Sequence, residues 1–222
     1  DCSQLFLVGS LCSSLASRAA ARSLPEHSPM AYHLLPSDAY FASAQDPIRS
    51  VASFTGSHEY QKEQQAYGAT IDDFSELSDF LQAKEGGRTN PPPENTSMPG
   101  IVNGALLDYA KGEHDILDNW TPPAGITLYQ IAGWGVDTIS GISFYENSKL
   151  FGLLGTTPEY RPVFVEDGDG VVPVPSALLT STSTENVKRY WINLATYNRD
   201  THSAQDHGNI FEASPIQDFI KN

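Results

Sequence analysis

Two residues of this chain have types and surroundings suited to acid–base chemistry. The first is Asp169, inside the stretch YRPVFVEDGDGVVP at residues 160–173. Residues 162–165 form a short apolar run that predicts a buried strand. The run breaks at once into Glu166-Asp167-Gly168-Asp169-Gly170. Glycines at 168 and 170 let the backbone turn sharply and present Asp169 inward from the strand's end. The second is His207, in a polar loop after the next expected strand and just before the last expected helix. Acid then histidine, each following a strand, is the order in which one kind of serine triad, Ser…Asp…His, places its members. A histidine base needs one ring nitrogen free for the serine proton. A buried carboxylate on the other nitrogen fixes the tautomer and stabilises the imidazolium.

Plainer roles compete for the same residues. Asp169 reads equally well as the side chain of an Asx turn in an acidic loop. A calcium loop is a third reading, although Asp167-Gly168-Asp169-Gly170 supplies only part of the D-x-D-x-D-G pattern. His202 and His207 stand five apart, which is not a usual metal-ligand spacing. His114, in Glu113-His114-Asp115, looks like a dyad but precedes the Pro122-Pro123 break, which favours a surface role. The nucleophile is the missing part. Gly-x-Ser-x-Gly occurs nowhere, Gly141-Ile142-Ser143 completes only its first half, and Ser10 lacks the strand–turn–helix spacing that exposes a serine oxygen.

The elements expected to position these groups alternate strand and helix. Residues 4–8, QLFLV, predict a strand buried on both faces, and residues 11–24 a helix stopped by Pro25. Residues 31–41 are aromatic and broken by Pro36, and the chain is then polar and weakly patterned to about residue 69. Residues 70–84 predict a helix capped by Thr70, with Phe74, Leu77, Phe80 and Leu81 as its apolar stripe. Residues 88–100, with four prolines, predict an extended loop, and residues 101–119 a second helix weakened at Gly104 and Gly112. Residues 126–132 predict a strand, 138–145 its hairpin partner, 187–196 another strand and 198–208 a polar loop. Ser214-Pro215 opens a terminal helix. The fold class is therefore α/β, with residues 1–29 and 121–222 as the sheet-bearing core. Residues 30–120 are a mainly helical insertion, of the size that usually forms a lid or cap.

Composition sets outer bounds. With 222 residues and 40% hydrophobic content, the chain can build one substantial core. A formal charge of -14 argues against a nucleic-acid partner. Apolar runs fall short of the roughly 18 residues of a membrane span. Two cysteines, Cys2 and Cys12, exclude a disulfide scaffold and leave the compartment open. No metal or other cofactor is expected.

Four motifs together resemble one family: AYHLLPSDAYF at 31–41, HDILDNWTPPAGITLYQIAGWG at 114–135, VFVEDGDGVVP at 163–173 and HGNIF at 207–211. In combination they look like the C-terminal half of the lecithin:cholesterol acyltransferase-like lipases, α/β-hydrolases with a large cap. The resemblance implies a serine lipase or acyltransferase that cleaves or transfers ester-linked acyl chains of lipids, working at a membrane or lipoprotein surface. It implies Asp169 as the catalytic acid and His207 as the catalytic histidine. The family's nucleophile elbow would precede Asp1, so the chain is expected to be the acid-and-histidine half of a longer enzyme, inactive alone, with a missing N-terminal half as its partner. The rival expectation is a non-catalytic binding or partner subunit that keeps the scaffold without a nucleophile.

Overall fold

Two sheets of different construction organise the chain. The structure, a computed structural model, describes residues 18–56, 58–92, 95, 97–149, 155–178 and 186–221. The strand expected at residues 4–8, Ser10 and both cysteines lie outside them.

The elements in chain order begin with three short helices, α1 (Arg18–His27), α2 (Pro29–His33) and α3 (Asp38–Ser43). Strand β1 (Ala52–Phe54), helix α4 (Gln61–Tyr67), strand β2 (Thr70–Ile71) and helix α5 (Phe74–Leu81) follow. Helix α6 (Gly104–Asp118) precedes strands β3 (Leu128–Trp134), β4 (Thr138–Ser148) and β5 (Thr156–Val165). The chain continues through α7 (Val174–Ala177), β6 (Val187–Asn193) and α8 (Leu194–Thr201), and ends with a short 3-10 turn and α9 (Ser214–Lys221).

The larger sheet has the order β2-β1-β4-β5. β1 runs parallel to β4 and antiparallel to β2, while β4 and β5 form a long antiparallel hairpin from Thr138↔Val165 to Ser148↔Thr156. The smaller sheet is the parallel pair β3–β6, in register from Leu128↔Val187 to Trp134↔Asn193. The protein is thus mixed α/β, with parallel and antiparallel strands.

The main core gathers on one face of the larger sheet. Phe54 of β1 stacks on Phe144 of β4, with centroids 5.5 Å apart and planes at 16°. Phe80 of α5 meets Phe54 edge-on at 5.4 Å, and Tyr60 closes the cluster 5.8 Å from Phe144. Such pairs add about 0.5–1.5 kcal/mol each beyond the area they bury. Arg88 anchors the loop that returns to α6. It donates to the carbonyls of Phe80, Leu81 and Pro99, and its guanidinium lies 5.0 Å over the Phe80 ring. Burial lowers its pKa, and the nearby carboxylate of Glu63 opposes that shift.

Several expectations need correction. The helix expected at residues 70–84 begins only at Phe74, capped by Asp73, because Thr70 and Ile71 pair with β1 instead. The stretch read as polar and weakly patterned contains β1 and α4, each too short to show a period. β1, within the mainly helical 30–120 segment, pairs with β4 in one sheet. α1 runs two residues past Pro25, whose missing N–H falls in the last turn. Gly112 does not divide α6, which continues to Asp118. β4 pairs with β5 rather than with β3, the chain changing sheets at Gly135, whose φ is +95°. β5 is an edge strand with Tyr160 and Phe164 exposed, which corrects the buried strand expected at 162–165. The edge position also explains how Pro158 and Pro162 are tolerated. The loop expected at 198–208 begins only after α8, which ends at Thr201 with His202 in a left-handed cap, φ 54°.

Candidate acid–histidine site

The parallel pair sets up the site. β3 and β6 end side by side, and Asn193 at the end of β6 turns the chain directly into α8 by accepting from the Thr196 amide at 2.8 Å. The crevice outside the carboxyl ends of parallel strands is where open α/β sheets hold their ligands. The loop after β5 is drawn to that same edge. Gly135 N–H donates to the Glu166 carbonyl, Val136 N–H to the Gly168 carbonyl, and Val136 bridges Asp169 in parallel.

One threonine fixes this loop. Thr138 is fully buried; its hydroxyl donates to the Val136 carbonyl at 2.8 Å and accepts from the Gly170 amide at 2.8 Å. Both glycines of the motif are required locally. A Cβ on Gly168 would sit 2.4 Å from Thr138 Oγ1, and Gly170 has a φ of +100°.

Asp169 is 6% exposed, and each of its oxygens is assigned. Oδ1 accepts from the amides of Val171 at 3.1 Å and Val172 at 2.8 Å. Oδ2 lies 3.0 Å from His207 Nδ1. The backbones are tied as well, His207 N–H donating to the Asp169 carbonyl at 2.9 Å. Three donors therefore converge on the carboxylate, which keeps its buried charge satisfied. The Asx-turn reading of Asp169 is realised through Oδ1, while Oδ2 is left for the histidine.

Sequence reasoning thus named two residues 38 apart whose side chains meet. The His207 side chain is 49% exposed. With Nδ1–H donating to Asp169, Nε2 is the ring's proton acceptor. Among the described residues, no serine, threonine or cysteine hydrogen-bonds to it.

Neighbouring charges are modest. Burial raises the pKa of Asp167. The Tyr40 hydroxyl, which donates to the Ile48 carbonyl at 3.0 Å, is pushed up to about 12 by burial and then by the charge of Asp167. His114 is not on the surface as expected. It is half-buried on α6, with Nε2 3.0 Å from the His33 carbonyl, and it lines a cavity of about 460 Å³. Val171 and Val172 line that cavity too, so it shares a wall with the turn that holds Asp169. Among the described residues, Asp72, Asp73 and Glu76 form a cluster of carboxylates within 4.8 Å of one another. It is accounted for by helix capping, since Asp73 accepts from the Glu76 amide at 2.8 Å.

Thr138, Val171 and Val172 were not singled out from sequence. The two amides belong to the backbone and leave no residue-type signature. Thr138 looks like any β-branched start of a strand.

No family model, no curated protein and no solved structure matches this chain.

Proposed function

We propose that this chain supplies the acid–histidine pair of a serine ester hydrolase or O-acyltransferase acting on ester-linked acyl chains. The observation that carries the reading is the His207 Nδ1–Asp169 Oδ2 contact of 3.0 Å, made by a buried carboxylate and a half-exposed imidazole. In this reading Asp169 holds His207 with its proton on Nδ1. His207 Nε2 takes the proton of a serine hydroxyl as the oxygen attacks the ester carbonyl. It then returns that proton to the departing alcohol. A water or a second alcohol, deprotonated by the same nitrogen, releases the acyl group. Asp169 stays ionised and stabilises the imidazolium. The α/β-hydrolase scaffold with a cap, and the family named by the motifs, belong to this proposal.

The serine comes from outside these 222 residues, because no Gly-x-Ser-x-Gly is present in them. The test is ester hydrolysis by the protein from its full open reading frame, with Asp169→Asn and His207→Ala. Asp169→Asn is expected to lower kcat by about 10⁴-fold and His207→Ala by about 10⁶-fold, the sizes of loss found when a triad loses its acid and its base. Wild-type rates in both variants, or no ester turnover by the unaltered protein, would sink the proposal. Fluorophosphonate labelling of a serine within these 222 residues would overturn the placement of the nucleophile.

A further inference from the structure

The cavity at the C-terminal end of α6 has a chemistry that the acid–histidine pair does not use. It measures about 460 Å³ and takes its walls from three stretches of chain, 33–37, 114–118 and 171–176. Half-buried Leu35, Pro36, Val172 and Pro173 make part of its lining apolar. Such a size and mixture suit a small organic molecule.

The charged and polar groups around it favour a cation. Asp118 lines the cavity and is the last residue of α6, whose last turn holds no basic residue. A carboxylate at that place meets the negative end of the helix dipole, a cost that a nearby positive charge offsets. Lys111 does not provide it, since its ammonium lies 3.2 Å from Asp38 and 2.9 Å from Asp115. No hydrogen bond or ion pair to the Asp118 carboxylate is formed among the described residues. His114, four residues earlier, lines the cavity from the same face of the helix. Its Nε2–H donates to the His33 carbonyl at 3.0 Å, so Nδ1 carries the lone pair, and that atom is buried with no hydrogen-bond partner. It adds negative potential beside Asp118. Among the described residues of the lining there is no lysine or arginine.

These features also exclude other ligands. A carboxylate or phosphate would be repelled by Asp118 and find no cationic partner. A metal ion would find too few ligands, because His33, His114 and Asp118 do not bring their ligand atoms within 4.8 Å of one another.

We propose that this cavity binds a small primary amine. The ammonium group donates to the Asp118 carboxylate, and the hydrocarbon body lies against Leu35, Pro36, Val172 and Pro173. The site is distinct from the acid–histidine pair and does not depend on ester chemistry. Val171 and Val172 also line the cavity, and their amides donate to Asp169 Oδ1, so their resonances report on an occupant.

The test is calorimetric titration of the full-length protein with 2-phenylethylamine at pH 7, beside 2-phenylethanol, its uncharged counterpart of the same shape. The amine is expected to bind about tenfold more tightly than the alcohol, the size of effect of a hydrogen bond to a charged group. Asp118→Asn should abolish that preference and Asp118→Glu should retain it. Ser176→Trp, which fills the cavity from a different wall, should weaken both ligands. The N-trimethyl derivative carries the charge without a donor and should bind less tightly than the amine. In NMR spectra the Val171 and Val172 amide resonances should move on titration with the amine. Equal affinity for amine and alcohol, or a preference that survives in Asp118→Asn, overturns the proposal. So does an amine that does not bind, which would leave the cavity to water, or one that binds with both valine amides unmoved. An N-trimethyl derivative as tight as the amine overturns the assignment to a primary amine.

Discussion

The larger sheet and the parallel pair differ in what holds them. Around β1 and β4 the chain builds a dense aromatic core, with Phe54, Tyr60, Phe80 and Phe144 all buried and with Phe54 and Phe144 each meeting the other three rings. Around β3 and β6 the buried group is smaller, Ile192, Leu194, Ile210, Ala213 and Ile216, while Trp134 and Trp191 remain 41% and 51% exposed. Parallel strands are ordinarily covered on both faces. Yet Asp169 and His207 meet at the thinner region. The acid is not fixed there by depth of packing alone. Hydrogen bonds from Val171, Val172, His207 and, through the loop, Thr138 and Gly170 define its place. One region supplies stability through apolar contact, and the other supplies geometry through backbone polarity.

The sharpest way to break this contrast is to hollow out the large core. Phe144→Ala removes the ring that stacks on Phe54 and is expected to cost about 3–5 kcal/mol, read as a lower midpoint in urea unfolding. The His207–Asp169 contact should persist in the fraction that stays folded, seen as an unchanged His207 ring resonance by NMR. Loss of that signature below the unfolding midpoint would show that the two regions are not held separately.

Thr138→Val should do the reverse. It keeps the shape of the side chain and leaves the Gly170 amide, the donor of a part-buried hydrogen bond, without its acceptor, a loss of about 0.5–1.5 kcal/mol. The unfolding midpoint should fall less than in Phe144→Ala, while the His207 resonance moves. A variant with an unmoved resonance would remove Thr138 from the positioning of the acid.

Asp167→Asn gives the smallest effect, about 0.5 kcal/mol. Burial raises the Asp167 pKa, so the folded state takes up this proton at a higher pH than the unfolded state does. Above the raised value the charged, partly buried carboxylate costs stability. That cost disappears as pH falls through the folded value toward the unfolded one near 3.9. The asparagine variant should therefore be more stable than the native protein at pH 7 and equal to it in acid, measured by thermal unfolding at both. Tyr40 should titrate lower in the variant, since the Asp167 charge is one of the two causes that push it up to about 12. A stability difference that grows on acidification would contradict the assignment.

Much of the element content was legible along the chain. The stripe Phe74, Leu77 and Phe80 is buried on α5, as its helical spacing predicts, although the cap is Asp73, one turn later than the expected Thr70. Helical period and capping are local properties, so a window of the sequence contains them. Pairing is not local. β1 has only three residues and no visible period, and it became a strand because β4 offered an edge beside it. The partner of β4 was misassigned for the same reason, since a strand's apolar pattern does not state which neighbour completes its ladder.

The candidate site divides along the same line. Glycines flanking an acid after an apolar run, and a histidine in a later loop, can be read as types and spacing, because turn chemistry is local. That Asp169 Oδ2 lies 3.0 Å from His207 Nδ1 across 38 residues and that Thr138 holds the intervening turn depended on the packing of β3, β4, β5 and β6. Only the closed chain decides these, since each needs segments distant in sequence to reach the same few ångströms, and the free energy that brings them there comes from contacts elsewhere in the fold.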